Sequence, residues 1–145
     1  MNGGRRATTR NLGFLLAKAT QRWNEVLAER FAERGFAEVR PSYGSVLVPL
    51  LEEDGLRMGE LAARSRLAKQ TMTTLVRLVE RDGLVVRRPD PQDGRAARVH
   101  LTDRARDFRP IAEETLAELD ELVEGRLGRQ RQTALQEALQ EVMSL

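Results

Sequence analysis

The chain has 145 residues, enough for one domain and too few for two of ordinary size. It contains no cysteine, which excludes disulfides, thiolate metal sites, a catalytic thiol and cysteine-based redox sensing, and no apolar run approaches the roughly 20 residues of a membrane-spanning helix. The net charge of +2 hides an asymmetry: residues 1–56 carry 8 basic and 7 acidic side chains, residues 57–109 carry 13 and 7, and residues 110–145 carry 3 and 8.

A middle of net +6 beside a C-terminal stretch of net −5 suits a segment facing a polyanion, flanked by segments with another task. The basic residues are almost all arginine, with Lys18 and Lys69 the two lysines. Arginine forks suit phosphate, and a genomic compositional bias gives the same preference.

Residues 1–10 are polar and glycine-bearing, predict a flexible tail, and lead into no apolar segment of signal-peptide type. Leu12, Leu15, Leu16, Ala19, Trp23, Val26, Leu27 and Phe31 then recur at steps of three and four, predicting a helix that ends near Gly35. Pro41-Ser42 opens a second helix with Ser42 as N-cap and Val46, Leu47, Leu50 and Leu51 as its apolar face; Pro49 should kink it or delay its start. Two short helices follow, over about 58–64 and 68–81, the second stopped by Asp82-Gly83. Leu84–Arg88 and Arg98–Leu101 read as two strands joined by the loop Pro89–Gly94, with His100 facing outward. Thr102-Asp103 begins a long helix, with Pro110 shifting its start later, and Gly125 and Gly128 break it. A last helix carries Leu127, Ala134, Leu135, Ala138, Leu139 and Val142.

Two short helices and a hairpin make a winged helix-turn-helix. With Met72, Leu75, Val76 and Val79 facing the core, the second short helix presents Lys69, Gln70, Thr73, Thr74 and Arg77 outward, residue types that suit base edges in a major groove. An ordinary solvated helix face has the same composition. The hairpin loop is more specific: from Asp90 it reads Asp-Pro-Gln-Asp-Gly-Arg-Ala-Ala-Arg-Val-His-Leu-Thr.

This run, with Asp82-Gly83-Leu84-Val85 before it, resembles the wing of the MarR family of bacterial transcriptional regulators, an Asp-Pro-x-Asp-x-Arg loop closing on a Leu-Thr. The resemblance extends from about residue 10 to 145. It implies a mainly α fold with a small β-hairpin wing, namely a winged helix-turn-helix over 40–102 with dimerisation helices over 11–38 and 103–145. It further implies a cytoplasmic homodimer that binds double-stranded DNA at a pseudo-palindromic operator and acts as a repressor, with no enzymatic activity, cofactor, metal or membrane. On the family pattern Arg95 enters the minor groove, Asp93 orients its guanidinium, and Arg98 joins them on the wing. A narrow minor groove does concentrate negative potential. Ser42, Arg64, Arg66 and Arg88 are the expected phosphate contacts. Many relatives bind a small aromatic or phenolic effector, and Phe14, Trp23, Tyr43 and Leu47 are the candidate pocket residues here.

The chain departs from the pattern at Arg57, where a threonine is usual, at Ser65 (leucine), Arg66 (glycine), Ala68 (serine) and Ala105 (glycine). The competing reading is a winged-helix module that binds protein without specific DNA binding. An enzyme lacks support, since no histidine dyad, glycine-rich phosphate loop or metal-ligand spacing is present.

Overall fold

The computed structural model describes residues 9–145, so most of the tail expected over 1–10 lies outside the described residues. Six helices and three short strands follow in the order α1 (Leu12–Glu33), α2 (Gly44–Glu52), β1 (Leu56–Arg57), α3 (Met58–Arg64), α4 (Lys69–Arg81), β2 (Val85–Pro89), β3 (Ala97–Leu101), α5 (Asp103–Leu127) and α6 (Arg129–Met143). They form two compact units, one ending at Arg109 and one spanning Pro110–Leu145.

Helix α1 starts where the Asn11 carboxamide oxygen accepts from the Gly13 N–H at 3.0 Å. It ends, as predicted, on Gly35, whose φ of +90° lets the Phe36 N–H reach back to the Phe31 carbonyl at 2.8 Å. This closing turn brings Phe31 and Phe36 together on Phe108, whose ring centroid lies 4.8 and 5.2 Å from theirs. The Arg104 guanidinium stacks over Phe36 at 3.9 Å and donates to Glu38 at 2.6 Å. Only Leu27 and Phe31 of α1 are buried, and Leu12 and Leu15 at its other end are exposed.

The second helix differs from expectation. Ser42 caps nothing, because Pro41 starts a single 3-10 turn over Pro41–Tyr43 and α2 follows from Gly44 without a side-chain cap. Pro49 sits inside α2 without delaying its start. Lacking an N–H, it leaves the Ser45 carbonyl four residues earlier without its helical donor. Ser65, just past α3, supplies the missing proton: its hydroxyl donates to the Ser45 oxygen.

The hairpin is in fact part of a three-stranded antiparallel sheet in the order β1-β3-β2. Leu56 and Arg57 pair with Val99 and Arg98, while Val85–Pro89 pair with Leu101–Ala97. Gly55 enables the extra strand: its φ is +72°, and a Cβ there would stand 2.9 Å from His100 Cε1. His100 is therefore half-buried against Gly55, with Nδ1 3.6 Å from Asp54, rather than facing freely outward.

Thr102 caps α5, accepting from the Ala105 N–H at 3.3 Å, while its hydroxyl donates to the Gly83 carbonyl at 2.7 Å. The helix thus begins at Asp103, not nearer Pro110, and it continues through Gly125; the break comes at Gly128, with φ +79°. In the C-terminal unit Leu116, Leu122, Leu135, Leu139 and Met143 are exposed, and α6 buries none of its residues.

Candidate nucleic-acid interface

Helix α4 is pinned by Met72, Val76 and Val79, each fully buried. The 3.6-residue period puts Gln70, Thr74 and Arg77 on the opposite side, and all three are exposed. Lys69 is exposed on the first turn; Thr73 lies at the flank and is half-buried. Thr71, exposed on the same first turn, was not singled out by the sequence pattern.

The turn before α4 carries the departures noted above. Arg66, where glycine is usual, adopts φ +56°, the one left-handed non-glycine backbone among the described residues. Ala68 makes no side-chain cap. At α3, arginine at 57 cannot accept a hydrogen bond, and Glu60 supplies the cap instead, accepting from the Arg57 N–H at 3.1 Å. Behind α4, the buried Tyr43 hydroxyl donates to Asp82 at 2.5 Å. Burial and this bond raise the Tyr43 pKa, and the same bond lowers that of Asp82, so the pair is a neutral phenol on an ionised carboxylate.

The wing turns on the first residue of the loop motif, Asp90, to which the sequence reading gave no site role. Asp90, with 3% of its surface exposed, directly follows β2 and accepts from the Gln92 N–H at 2.9 Å and from Arg57 Nε at 2.6 Å. Arg98 Nε lies 3.2 Å from the same carboxylate. The Gln92 bond first, then the two guanidinium groups, hold the Asp90 carboxyl below its ordinary range despite burial. Asp90 thus ties β1 to β3 at the wing's base. Arg98 is drawn into this cluster, and its Nη1 donates to the Gly55 carbonyl at 3.1 Å.

Asp93 does not hold the Arg95 guanidinium as the family pattern suggested. It accepts from the Arg95 backbone N–H at 3.1 Å, closing a turn, and makes no ion pair with the Arg95 guanidinium. Arg87 is held by Glu80 through Nε at 3.2 Å and Nη2 at 3.0 Å, lowering the Glu80 pKa and raising that of Arg87. A cleft of about 330 Å³ between α4 and the wing is lined by Glu80, Arg87, Arg88, Gly94, Arg95 and Ala97 among others.

The expected phosphate contacts Ser42, Arg64, Arg66 and Arg88 are all exposed, and Arg64 is paired with Glu53. Lys69, Arg77, Arg88 and Arg95 make no ion pair with any described residue. The four pocket candidates differ in burial. Tyr43 and Leu47 are core, Trp23 is half-buried, and Phe14 is 43% exposed. No group of three or more potential metal ligands occurs among the described residues, and no described helix is long and apolar enough to cross a membrane.

Comparison with known proteins agrees with this geometry. The MarR family's sequence profile matches residues 37–96, from the loop before α2 into the wing. The chain is 29% identical over 98 residues, 68% of its length, to YkoM of Bacillus subtilis (strain 168), an uncharacterized HTH-type transcriptional regulator; the match spans 62% of that protein. It is similar to a probable transcriptional regulator from Pseudomonas aeruginosa, at 25% identity and TM-score 0.78, covering 92% of this chain and 97% of that one. It is also similar to the transcriptional repressor CouR bound to a 23-mer DNA duplex, at 26% identity and TM-score 0.77, covering 91% and 92%.

Proposed function

We propose that this chain, whose residues 37–96 match the profile of the MarR family, is a sequence-specific transcriptional repressor acting as a homodimer on a pseudo-palindromic operator in double-stranded DNA. The observation that carries this reading is the set of unpaired cations. Arg57, Arg64, Arg87 and Arg98 are neutralised by acids of the same chain, while Lys69 and Arg77 on α4 and Arg88 and Arg95 on the wing are not. Exposed charges of one sign with no internal partner are available to displace counterions from phosphates. CouR, a similar repressor, is bound to DNA in its structure.

In this reading Gln70, Thr74 and Arg77 meet base edges in the major groove, and Arg95 reaches the minor groove from the wing. Asp93 shapes the backbone turn that presents Arg95, and Asp90 fixes the wing's base. Arg98 supports the wing from within instead of touching DNA. The homodimer is supported by apolar side chains that the single chain leaves in water: Leu12, Phe14 and Leu15 on α1, and Leu135, Leu139 and Met143 on α6. The residues 11–38 and 103–145 are the dimerisation segments, and the protein works in the cytoplasm, where its DNA is.

Selection of duplexes from a random pool by the purified chain tests the function. A recovered consensus of two inverted half-sites about one helical turn apart supports it. Recovery of no duplex at low salt refutes it and favours the protein-interaction module.

A further inference from the structure

Two threonines of α4 have given away their only hydroxyl proton. Thr73 Oγ1 donates to the Lys69 carbonyl at 2.9 Å, and Thr74 Oγ1 donates to the Gln70 carbonyl at 3.2 Å. Their positions differ. Thr73 is half-buried at the flank, whereas Thr74 is exposed between Gln70 and Arg77 on the side opposite Met72, Val76 and Val79.

A threonine can meet a base edge as a donor, as an acceptor or through its methyl group. Donation by Thr74 to a base would require breaking the bond it already makes, an exchange of one hydrogen bond for another with little net gain. Acceptance would need the base's amino group to reach an oxygen already turned back along the helix. The methyl group carries neither restriction. The major groove offers it one apolar feature, the C5 methyl of thymine.

We propose that Thr74 is a specificity-determining residue that selects thymine in each half-site through contact between its methyl group and the thymine methyl, while its hydroxyl stays tied to the Gln70 carbonyl. The inference rests on the DNA-binding reading above and adds the chemistry of one base choice. Removing one methyl from such a contact forfeits about 0.8 kcal/mol, which is about a fourfold change in affinity per half-site.

The test uses the full chain and the duplex it selects from a random pool. Dissociation constants are measured for the unaltered chain, Thr74→Val and Thr74→Ser, on that duplex and on duplexes in which each thymine is replaced singly by uracil. Valine keeps the methyl group and lacks the hydroxyl, so Thr74→Val should bind within about twofold of the unaltered chain. Serine lacks the methyl group, so Thr74→Ser should bind about fourfold more weakly per half-site. One thymine per half-site should give the same fourfold loss when changed to uracil, and that loss should vanish in Thr74→Ser. A larger loss with valine than with serine, or no uracil substitution coupled to residue 74, overturns the methyl contact. Should either variant misfold, the coupling of the other with the uracil series still decides, and a series in which no thymine-to-uracil change weakens the unaltered chain overturns the proposal by itself. Failure of the unaltered chain to select any duplex overturns the DNA-binding reading itself and is seen before any variant is made.

Discussion

Ser65→Ala isolates one hydrogen bond whose need was created by a residue in another helix. The Ser45 carbonyl lost its helical donor to Pro49 and received the Ser65 hydroxyl in exchange. Removing that hydroxyl leaves a carbonyl in a half-buried position with no protein donor, at a cost of about 1 kcal/mol, the low end for an unsatisfied acceptor. With a urea m-value of about 2 kcal/mol/M, the midpoint of unfolding should fall by about 0.5 M. The informative measurement is the double-mutant cycle. In Pro49→Ala the new N–H of residue 49 can reach the Ser45 carbonyl, so Ser65→Ala in that background should cost only a few tenths of a kcal/mol. The predicted coupling is about 1 kcal/mol. Additive effects of the two substitutions, whatever each does alone, would refute the exchange. Ser65 stands beside the strained Arg66 at the turn that aims α4, so the same variant reports how firmly that turn is held.

Three further outcomes follow from the geometry. Gly55→Ala should destabilise the protein by about 2 kcal/mol, since it forces an alanine into φ +72° and a Cβ to 2.9 Å from His100; thermal unfolding checks it, and His100→Ala should relieve only the steric part. Glu80, whose pKa the Arg87 fork lowers, adds stability that is present above the ordinary glutamate range and lost as pH falls through the lowered value; Glu80→Gln should therefore flatten the acid limb of the urea midpoint against pH. Leu135→Glu with Leu139→Glu should shift the sedimenting species from dimer to monomer while leaving helix content near that of the parent.

Much of this architecture is legible in the residues because local rules and packing agree. The apolar period of α1, the Schellman ending at Gly35, the Asp82-Gly83 stop after α4 and the Thr102 cap all act within a few residues of themselves. What sequence reasoning misses acts at a distance. The strand β1 is two residues long and exists only because Val99 and Arg98 lie beside it, so no alternation announces it. Pro49 reads as a helix breaker until Ser65, 16 positions on, answers it. Asp90 looks like a turn acid beside a proline, yet it is buried by Arg57 from 33 residues away. The outward face of α4 was visible from its period, whereas the sorting of arginines into paired and unpaired depends on which acids the fold brings near. The presence of acids at 53, 80 and 90 among the arginines was the available signal.

The claim that the unpaired cations of α4 and the wing bind DNA is tested most directly by the salt dependence of affinity for the selected duplex, for the unaltered chain and Arg95→Ala. The account predicts that log K falls steeply and linearly with log salt, and that Arg95→Ala weakens binding by about 1–3 kcal/mol. An affinity indifferent to salt, with Arg95→Ala binding as tightly as the parent, would contradict it.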